Sequence, residues 1–229
     1  MTPSALHPPP ILTTALSLTA LIAFSQNPER ILNKNSSNLK EPSNEAIELY
    51  NKGVDHFNKH EYPQAIRSYK QAIALDSDYI DAYNNIGLTF FESSQLDSAA
   101  YYLQISLYKL PTGTTALQNM GLVAEQKGDQ PQALKYYQQI TALEPQNPEG
   151  YYNCARALAA MARLDESLAQ AQQAEKLYAK AGSPQLSDCH LMLLIIYYNM
   201  HNKPMYQKYK ALCKKEGVQI PAEVANDPN

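Results

Sequence analysis

The sequence predicts an all-α chain of helix–turn–helix units with a fixed 34-residue period, and three observations predict it. Small residues recur at that step: Gly53, Gly87, Gly121 and Ala155 form one series, and Ala65, Ala99, Ala133 and Ser167 form another. An asparagine recurs without a miss at Asn51, Asn85, Asn119 and Asn153, although Asn is a poor helix former about 0.5–1 kcal/mol worse than Ala. Turn chemistry falls at one place in every unit, in "KHEYPQA", "SSQLDSA", "KGDQPQA" and "MARLDES". Independent columns that share one step are hard to obtain by chance, and they place local structure and repeat architecture in the same register.

Within a unit, apolar residues spaced by three and four define two amphipathic helices. Leu49, Gly53 and Phe57 mark one face of the first helix of the first unit, and Ala65, Tyr69, Ala72 and Ile73 mark the inner face of its second. A large residue precedes each small one by four positions, at Leu49, Tyr83, Leu117 and Tyr151. Pro63 and Pro131 stand at one phase, where a proline can open the second helix because its missing N–H has no partner there anyway. Ser77, Pro111, Pro145 and Ala179 close the units. Beyond Ala181 the phase slips: Pro204 lies two repeats plus five positions after Pro131, which places the extra residues in the loop "KAGSPQL". An apolar helix over Cys189–Tyr198 and a basic amphipathic helix ending near Gly217 follow, with a tail expected to fray.

The pattern large-x-x-apolar-Gly-x-x-aromatic, followed by Ala, aromatic, Ala and Pro, resembles the tetratricopeptide repeat (TPR), and "AYNNIGLTFFESSQLDSAAYYLQISLYKLP" is similar to a nearly complete example. Four units cover residues 46–79, 80–113, 114–147 and 148–181, and residues 182–217 read as a degenerate fifth unit or a capping helix pair, with 218–229 as a flexible tail. Lys52 and His56 depart from the pattern in the first unit, as do Ala155 and Ser167 in the fourth. The resemblance implies a right-handed superhelical solenoid with a concave groove.

Composition narrows the function. The 229 residues are 45% hydrophobic and 18% charged, as a folded core requires, and a net charge of -3 gives no global attraction to nucleic acid or to an anionic membrane. Cys154, Cys189 and Cys213 form no C-x-x-C and read as small core hydrophobes. No phosphate loop, nucleophile elbow, H-E-x-x-H or dinucleotide fingerprint occurs, so no enzyme, cofactor or metal is expected. His56 and His60 have the four-residue spacing of a ligand pair but lack a third partner, and core packing is the preferred reading. Residues 1–25 contain the uncharged run "ILTTALSLTALIAF", long enough for a signal-peptide core and short for a membrane span. The segment before it has no Lys or Arg, so export, a short anchor and a cytosolic leader all stay open, with export expected; residues 26–43 read as a linker.

Candidate binding residues come from helical geometry. Asn51 is turned about 100–200° from the positions packed on the second helix, which puts its column on the opposite face. The resemblance implies that this face is the groove and that Asn51, Asn85, Asn119 and Asn153 can bond the backbone of an extended peptide. A carboxamide offers a donor and an acceptor without a charge to desolvate. The competing reading is that these asparagines only bond neighbouring helices. Tyr50, Asn84, Gln118 and Tyr152 precede the column, and Val54, Leu88, Leu122 and Arg156 lie one turn on. Of the residues with which family members grip a C-terminal carboxylate, only Asn85 is matched; Tyr50, Val54, Thr115 and Asn119 occupy the other places, which disfavours that clamp. The expected function is a non-enzymatic scaffold for a protein or peptide partner, with no nucleic-acid or small-molecule ligand and with membrane contact only through the N-terminal segment. The alternative is a self-assembling structural spacer using tyrosine-rich faces or the ends of the stack, with one ring of each tyrosine pair packed and its neighbour nearer the surface.

Overall fold

A computed structural model describes residues 41–225. The predicted signal or anchor segment and nearly all of the linker lie outside the described residues. The described residues contain ten α-helices and no strand. They are α1 (Asn44–Asn58), α2 (Tyr62–Leu75), α3 (Ile80–Glu92), α4 (Leu96–Lys109), α5 (Thr114–Gln126), α6 (Gln130–Leu143), α7 (Pro148–Ala160), α8 (Leu164–Ala181), α9 (Leu186–Asn199) and α10 (Lys203–Lys215), followed by a 3-10 turn at Ala222–Val224. Two compact units divide after Leu143, so α1–α6 belong to the first and α7–α10 to the second.

Helix starts follow local chemistry. The Ser43 hydroxyl accepts from the Ala46 amide at 3.2 Å, the Asn147 carboxamide from Glu149 at 3.0 Å and the Asn202 carboxamide from Met205 at 3.2 Å. Each supplies an acceptor to an amide that has no intrahelical partner. Prolines stand in the first turns of α2, α7 and α10.

The turn inside each helix pair has one geometry throughout. Its left-handed residue is His60, Ser94, Gly128, Ala162 or His201, with φ of 58°, 61°, 81°, 58° and 53°. The next amide reaches back to a carbonyl five positions earlier: Glu61 to His56, Gln95 to Phe90, Asp129 to Ala124, Arg163 to Leu158 and Asn202 to Tyr197, all at 2.8–3.0 Å. This is the Schellman closure, which satisfies helix-end carbonyls but forces left-handed backbone on four residues that carry a side chain. Its presence between α9 and α10 gives the last helix pair the same hairpin as the other four.

Close approach of paired helices explains the small-residue column. A Cβ on Gly53 would stand 2.5 Å from the Tyr69 ring, one on Gly87 2.6 Å from Leu103 Cγ, and one on Gly121 2.3 Å from Tyr137 Cε1. The facing residue stands at the same register in each pair, and in the fourth pair both members are alanine, Ala155 and Ala171, both fully buried. The methyl at Ala155 is therefore matched by the loss of a large side chain on the helix it faces. The Ser167 hydroxyl adds a 2.7 Å bond to the Ala155 carbonyl.

Tyr83 and Tyr151 tie down inter-pair loops, their hydroxyls donating to Ser77 O at 3.1 Å and Pro145 O at 3.3 Å. In three tyrosine pairs one ring is buried and its neighbour partly exposed, with Tyr137, Tyr152 and Tyr197 buried beside Tyr136, Tyr151 and Tyr198, whereas in the pair Tyr101 and Tyr102 the first ring is exposed and the second only half-buried, stacked on Phe90.

Two expectations are corrected. The extra residues before α9 lengthen α8 itself, which has 18 residues against 14 in α2, α4 and α6. Ala179 thus lies inside a helix, and the left-handed stop comes at Gly182. The tail is also not free over its described part. Val224 is fully buried, its carbonyl accepts from the Tyr206 hydroxyl at 2.8 Å, and Val218 and Ile220 pack on the same core.

Candidate functional site

The close approach at Gly53, Gly87 and Gly121 fixes the orientation of the first helix in each pair of the first unit. Two positions earlier, about 200° round the helix, the asparagine column turns away from that contact. Asn51, Asn85 and Asn119 thereby fall on one face contributed by α1, α3 and α5. Asn51 is exposed, and Asn85 and Asn119 are half-buried.

Asn85 is already engaged. Its Nδ2 donates to the Tyr50 hydroxyl at 2.9 Å, a bond from α3 to α1. Tyr50 sits in an aromatic nest, with ring centroids 5.6 Å from Tyr69 and 5.0 Å from Tyr79. Burial, reinforced by the Asp81 charge, pushes its phenol well above the ordinary tyrosine value and keeps it protonated. The helix-bonding reading therefore holds at Asn85. Asn51 and Asn119 make no side-chain hydrogen bond among the described residues. Around them Val54, Leu88 and Gln118 are half-buried, so the face combines carboxamides with apolar edges.

Four predicted contact residues do not present a usable surface. Asn84 is 3% exposed, Leu122 7%, Tyr152 6% and Asn153 4%. Tyr152 packs in the core of the second unit, its ring 6.4 Å from Tyr178. Asn84 Oδ1 and the Tyr152 hydroxyl are buried without a hydrogen-bond partner. Position along the repeat gives the direction of a side chain, whereas its burial depends on which helices flank it. That second property is not written in the 34-residue spacing.

Asn153, Tyr152 and Arg156 lie on α7 of the second unit. There Arg156 is half-buried and acts electrostatically on Glu149, whose carboxylate accepts from the Tyr178 hydroxyl. Burial nevertheless raises the Glu149 carboxyl above its usual range. The second unit also holds a second polar centre, built from residues far apart in sequence. His190, on α9, pairs through Nδ1 with both Glu216 oxygens at 2.9 Å, and its Nε2 stands 3.4 Å from Glu175 Oε1. The Tyr209 hydroxyl donates to Glu175 at 3.0 Å. These contacts bind α8, α9 and the end of α10 together; their separation in sequence offered no spacing signal.

The core reading of His56 and His60 is corrected. His56 is only partly buried and pairs through Nδ1 with Glu61 at 2.5 Å, while His60 is exposed at the left-handed turn position. Their four-residue spacing reflects a helix end followed by its cap. Cys154, Cys189 and Cys213 are free and buried. Among the described residues no group of three His, Cys, Asp or Glu side chains is arranged to hold a metal, and no helix is long and apolar enough to cross a membrane.

Comparison with known proteins agrees with the repeat geometry. Models described as "TPR repeat" and "Tetratricopeptide repeat" match residues 53–94 and 119–184. Anaphase-promoting complex subunit 3 of Schizosaccharomyces pombe is 22% identical over 157 residues, which are 69% of this chain and 23% of that protein. The chloroplastic tetratricopeptide repeat domain-containing protein PYG7 of Arabidopsis thaliana is 27% identical across 44% of this chain and 35% of its own length. Photosystem I assembly protein Ycf3 of Synechococcus sp. is 28% identical across 48% of this chain and 71% of its own. The chain thus spans only about a quarter to a third of the first two relatives. Among solved structures, MamA (41-end) from Desulfovibrio magneticus RS-1 superposes with a TM-score of 0.66 at 15% identity, covering 77% of this chain and 97% of that one. PilF of Pseudomonas aeruginosa gives 0.62 at 21% identity, covering 74% and 75%. With the 34-residue period, the helix pairs and both family models in agreement, the chain belongs to the tetratricopeptide-repeat proteins, a family of protein-interaction scaffolds.

Proposed function

We propose that this chain is a non-enzymatic scaffold that receives an extended segment or a helix of a protein partner on the face of α1, α3 and α5. The observation that carries the reading is the pair Asn51 and Asn119, accessible and without an internal side-chain hydrogen bond among the described residues. They flank Asn85, which is fixed by Tyr50. Carboxamides held on stacked helices before a partner arrives lose little freedom on binding, which is the advantage of preorganisation. Val54, Leu88 and Gln118 would supply the remaining contact, and none of these residues carries a charge to desolvate. Ycf3, whose name describes an assembly protein, supports a scaffold role.

The test is site-specific photo-crosslinking in the native cell from position 119, compared with position 101 on α4, followed by the same experiment with Asn51→Ala. Crosslinks confined to position 119 and lost in Asn51→Ala, with an unchanged melting curve, agree with the proposal. Equal crosslinking from both positions, or no effect of Asn51→Ala, removes this face from the account.

A second reading, self-association, is favoured by Tyr101 and Tyr108, 59% and 88% exposed on α4. Light scattering across concentration decides it, since a constant monomer mass defeats self-assembly. For location, the reading is export through residues 1–25, and N-terminal sequencing of the mature chain tests it: an intact Met1 in a soluble fraction overturns export.

A further inference from the structure

α10 differs from the other nine helices in charge. Its 13 residues hold five lysines and no Asp or Glu. Four of the lysines share one side. At 100° per residue, Lys203, Lys214, Gln207, Ala211, Lys215 and Lys208 fall in that order within an arc of roughly 140°, and all six are exposed. The opposite side carries the buried Tyr206, Tyr209 and Cys213. The fifth lysine, Lys210, lies off the arc and donates to the Ala225 carbonyl at 2.6 Å.

Lys208, Lys214 and Lys215 pair with no carboxylate among the described residues. The acid next in sequence, Glu216, is turned to His190. These three lysines therefore leave unneutralised positive charge along about 10 Å of the helix, at about 1.5 Å of rise per residue. The chain's net charge of -3 does not cancel it at contact range, because salt screens charges beyond roughly 8 Å.

We infer that the lysine arc of α10 is an electrostatic docking face for an anionic lipid bilayer. Three features select this occupant. The face is the convex side of a single helix, without a cleft to enclose a ligand group. Its cations are all lysines, point charges on flexible stems that suit a continuous negative surface, whereas discrete phosphates or carboxylates are gripped in paired geometry by arginine forks. The tyrosines of α10 that could stack bases, Tyr206 and Tyr209, are buried, so a single-stranded nucleic acid would find charge without a stacking platform. A polybasic face is also the kind of second contact that a short apolar segment needs for firm membrane attachment. The uncharged run of residues 11–24 is such a segment wherever it is retained.

Flotation of the full chain with vesicles tests the inference, using phosphatidylcholine alone and phosphatidylcholine with a minority of phosphatidylglycerol, both in about 0.1 M salt. The difference between the two vesicle types isolates the charge contribution from any apolar insertion by the N-terminal run. Preferential recovery with the anionic vesicles is expected. The triple variant Lys208→Gln/Lys214→Gln/Lys215→Gln should lower that partitioning by about a hundredfold, at about fivefold per lysine. Equal flotation on both vesicle types, or an unchanged anionic preference in the triple variant, overturns the inference. So does charge-dependent retention on a polyglutamate or duplex DNA matrix in the absence of vesicle binding, because the occupant would then be of another class. A circular dichroism melt of the triple variant that matches the parent excludes unfolding as the cause of lost binding.

Discussion

Replacing Gly121 by alanine should destabilise the first unit, and the same change should become harmless once Tyr137 is removed. The added Cβ would lie 2.3 Å from Tyr137 Cε1 and 2.5 Å from Cζ. The ring is fully buried, so it has no empty space into which to swing. Overpacking of this kind costs about 1–3 kcal/mol. In the Tyr137→Ala background the obstacle is gone, and alanine should then gain up to about 1 kcal/mol over glycine through helix propensity. The coupling between the two sites is therefore about 1–4 kcal/mol, as large as or larger than is usual for residues in direct contact. The native Ala155 and Ala171 pair already shows the permissive combination. Urea unfolding followed by circular dichroism measures all four corners of the cycle, with equal m-values as the condition for comparison. A Gly121→Ala effect of the same sign and size in both backgrounds would refute the close-approach account of the glycine column.

The left-handed turns predict opposite effects for opposite substitutions. Ala162→Gly should raise the urea midpoint by the equivalent of about 0.5–1 kcal/mol, and Gly128→Ala should lower it by a similar amount, because only glycine occupies that backbone region freely. Glu149 gives a pH prediction. Its folded-state pKa lies above the unfolded value, chiefly through burial, so its contribution is fully present below the ordinary carboxylate range and is lost as pH rises through the raised value. Glu149→Gln keeps an acceptor for the Tyr178 hydroxyl and should be more stable than the parent at neutral pH, with the difference closing in acid in thermal melts; a larger deficit at neutral pH would contradict this. Burial pushes the Cys213 thiol up to about 11 and Cys154 to about 12, with Cys189 raised as well. All three should react with a thiol-specific disulfide reagent at neutral pH only at the rate of local unfolding, and rapid titration of any one in the native chain would contradict its burial.

The helix pairs were legible because their signals are local. Pro63 marks the start of α2, and the tight packing at Gly53 follows from the smallest side chain recurring on a helix that otherwise disfavours it. The glycine column was legible as packing, but the Ala155 exception became intelligible only with Ala171 beside it, on the partner helix of the pair. The left-handed turn was hidden for a related reason: His60, Ser94, Ala162 and His201 are not the residues by which such a turn is recognised. At the candidate site, the column gave the side of the helix on which Asn51 and Asn119 stand. It could not foretell that Asn85 would be held by Tyr50, or that Asn153 and Tyr152 would be enclosed, since both outcomes depend on neighbouring helices. The tail is expected to fray because it is a chain terminus, whereas the single buried Val224 and the Tyr206 bond suffice to hold its described part.

The five hairpin turns and the elongated α8 together indicate where this architecture tolerates change in length. Every hairpin closes on hydrogen bonds made within its own helix pair, over one fixed stretch of chain. The departure from the 34-residue period is accommodated at the C-terminal end of the second helix of a pair, in the lengthened α8. Chain length is thus rigidly specified across the hairpin turn and loosely specified at the far end of the second helix, where one pair gives way to the next. The natural unit of insertion, deletion or duplication is the closed hairpin, with its seams at the loops that join one pair to the next.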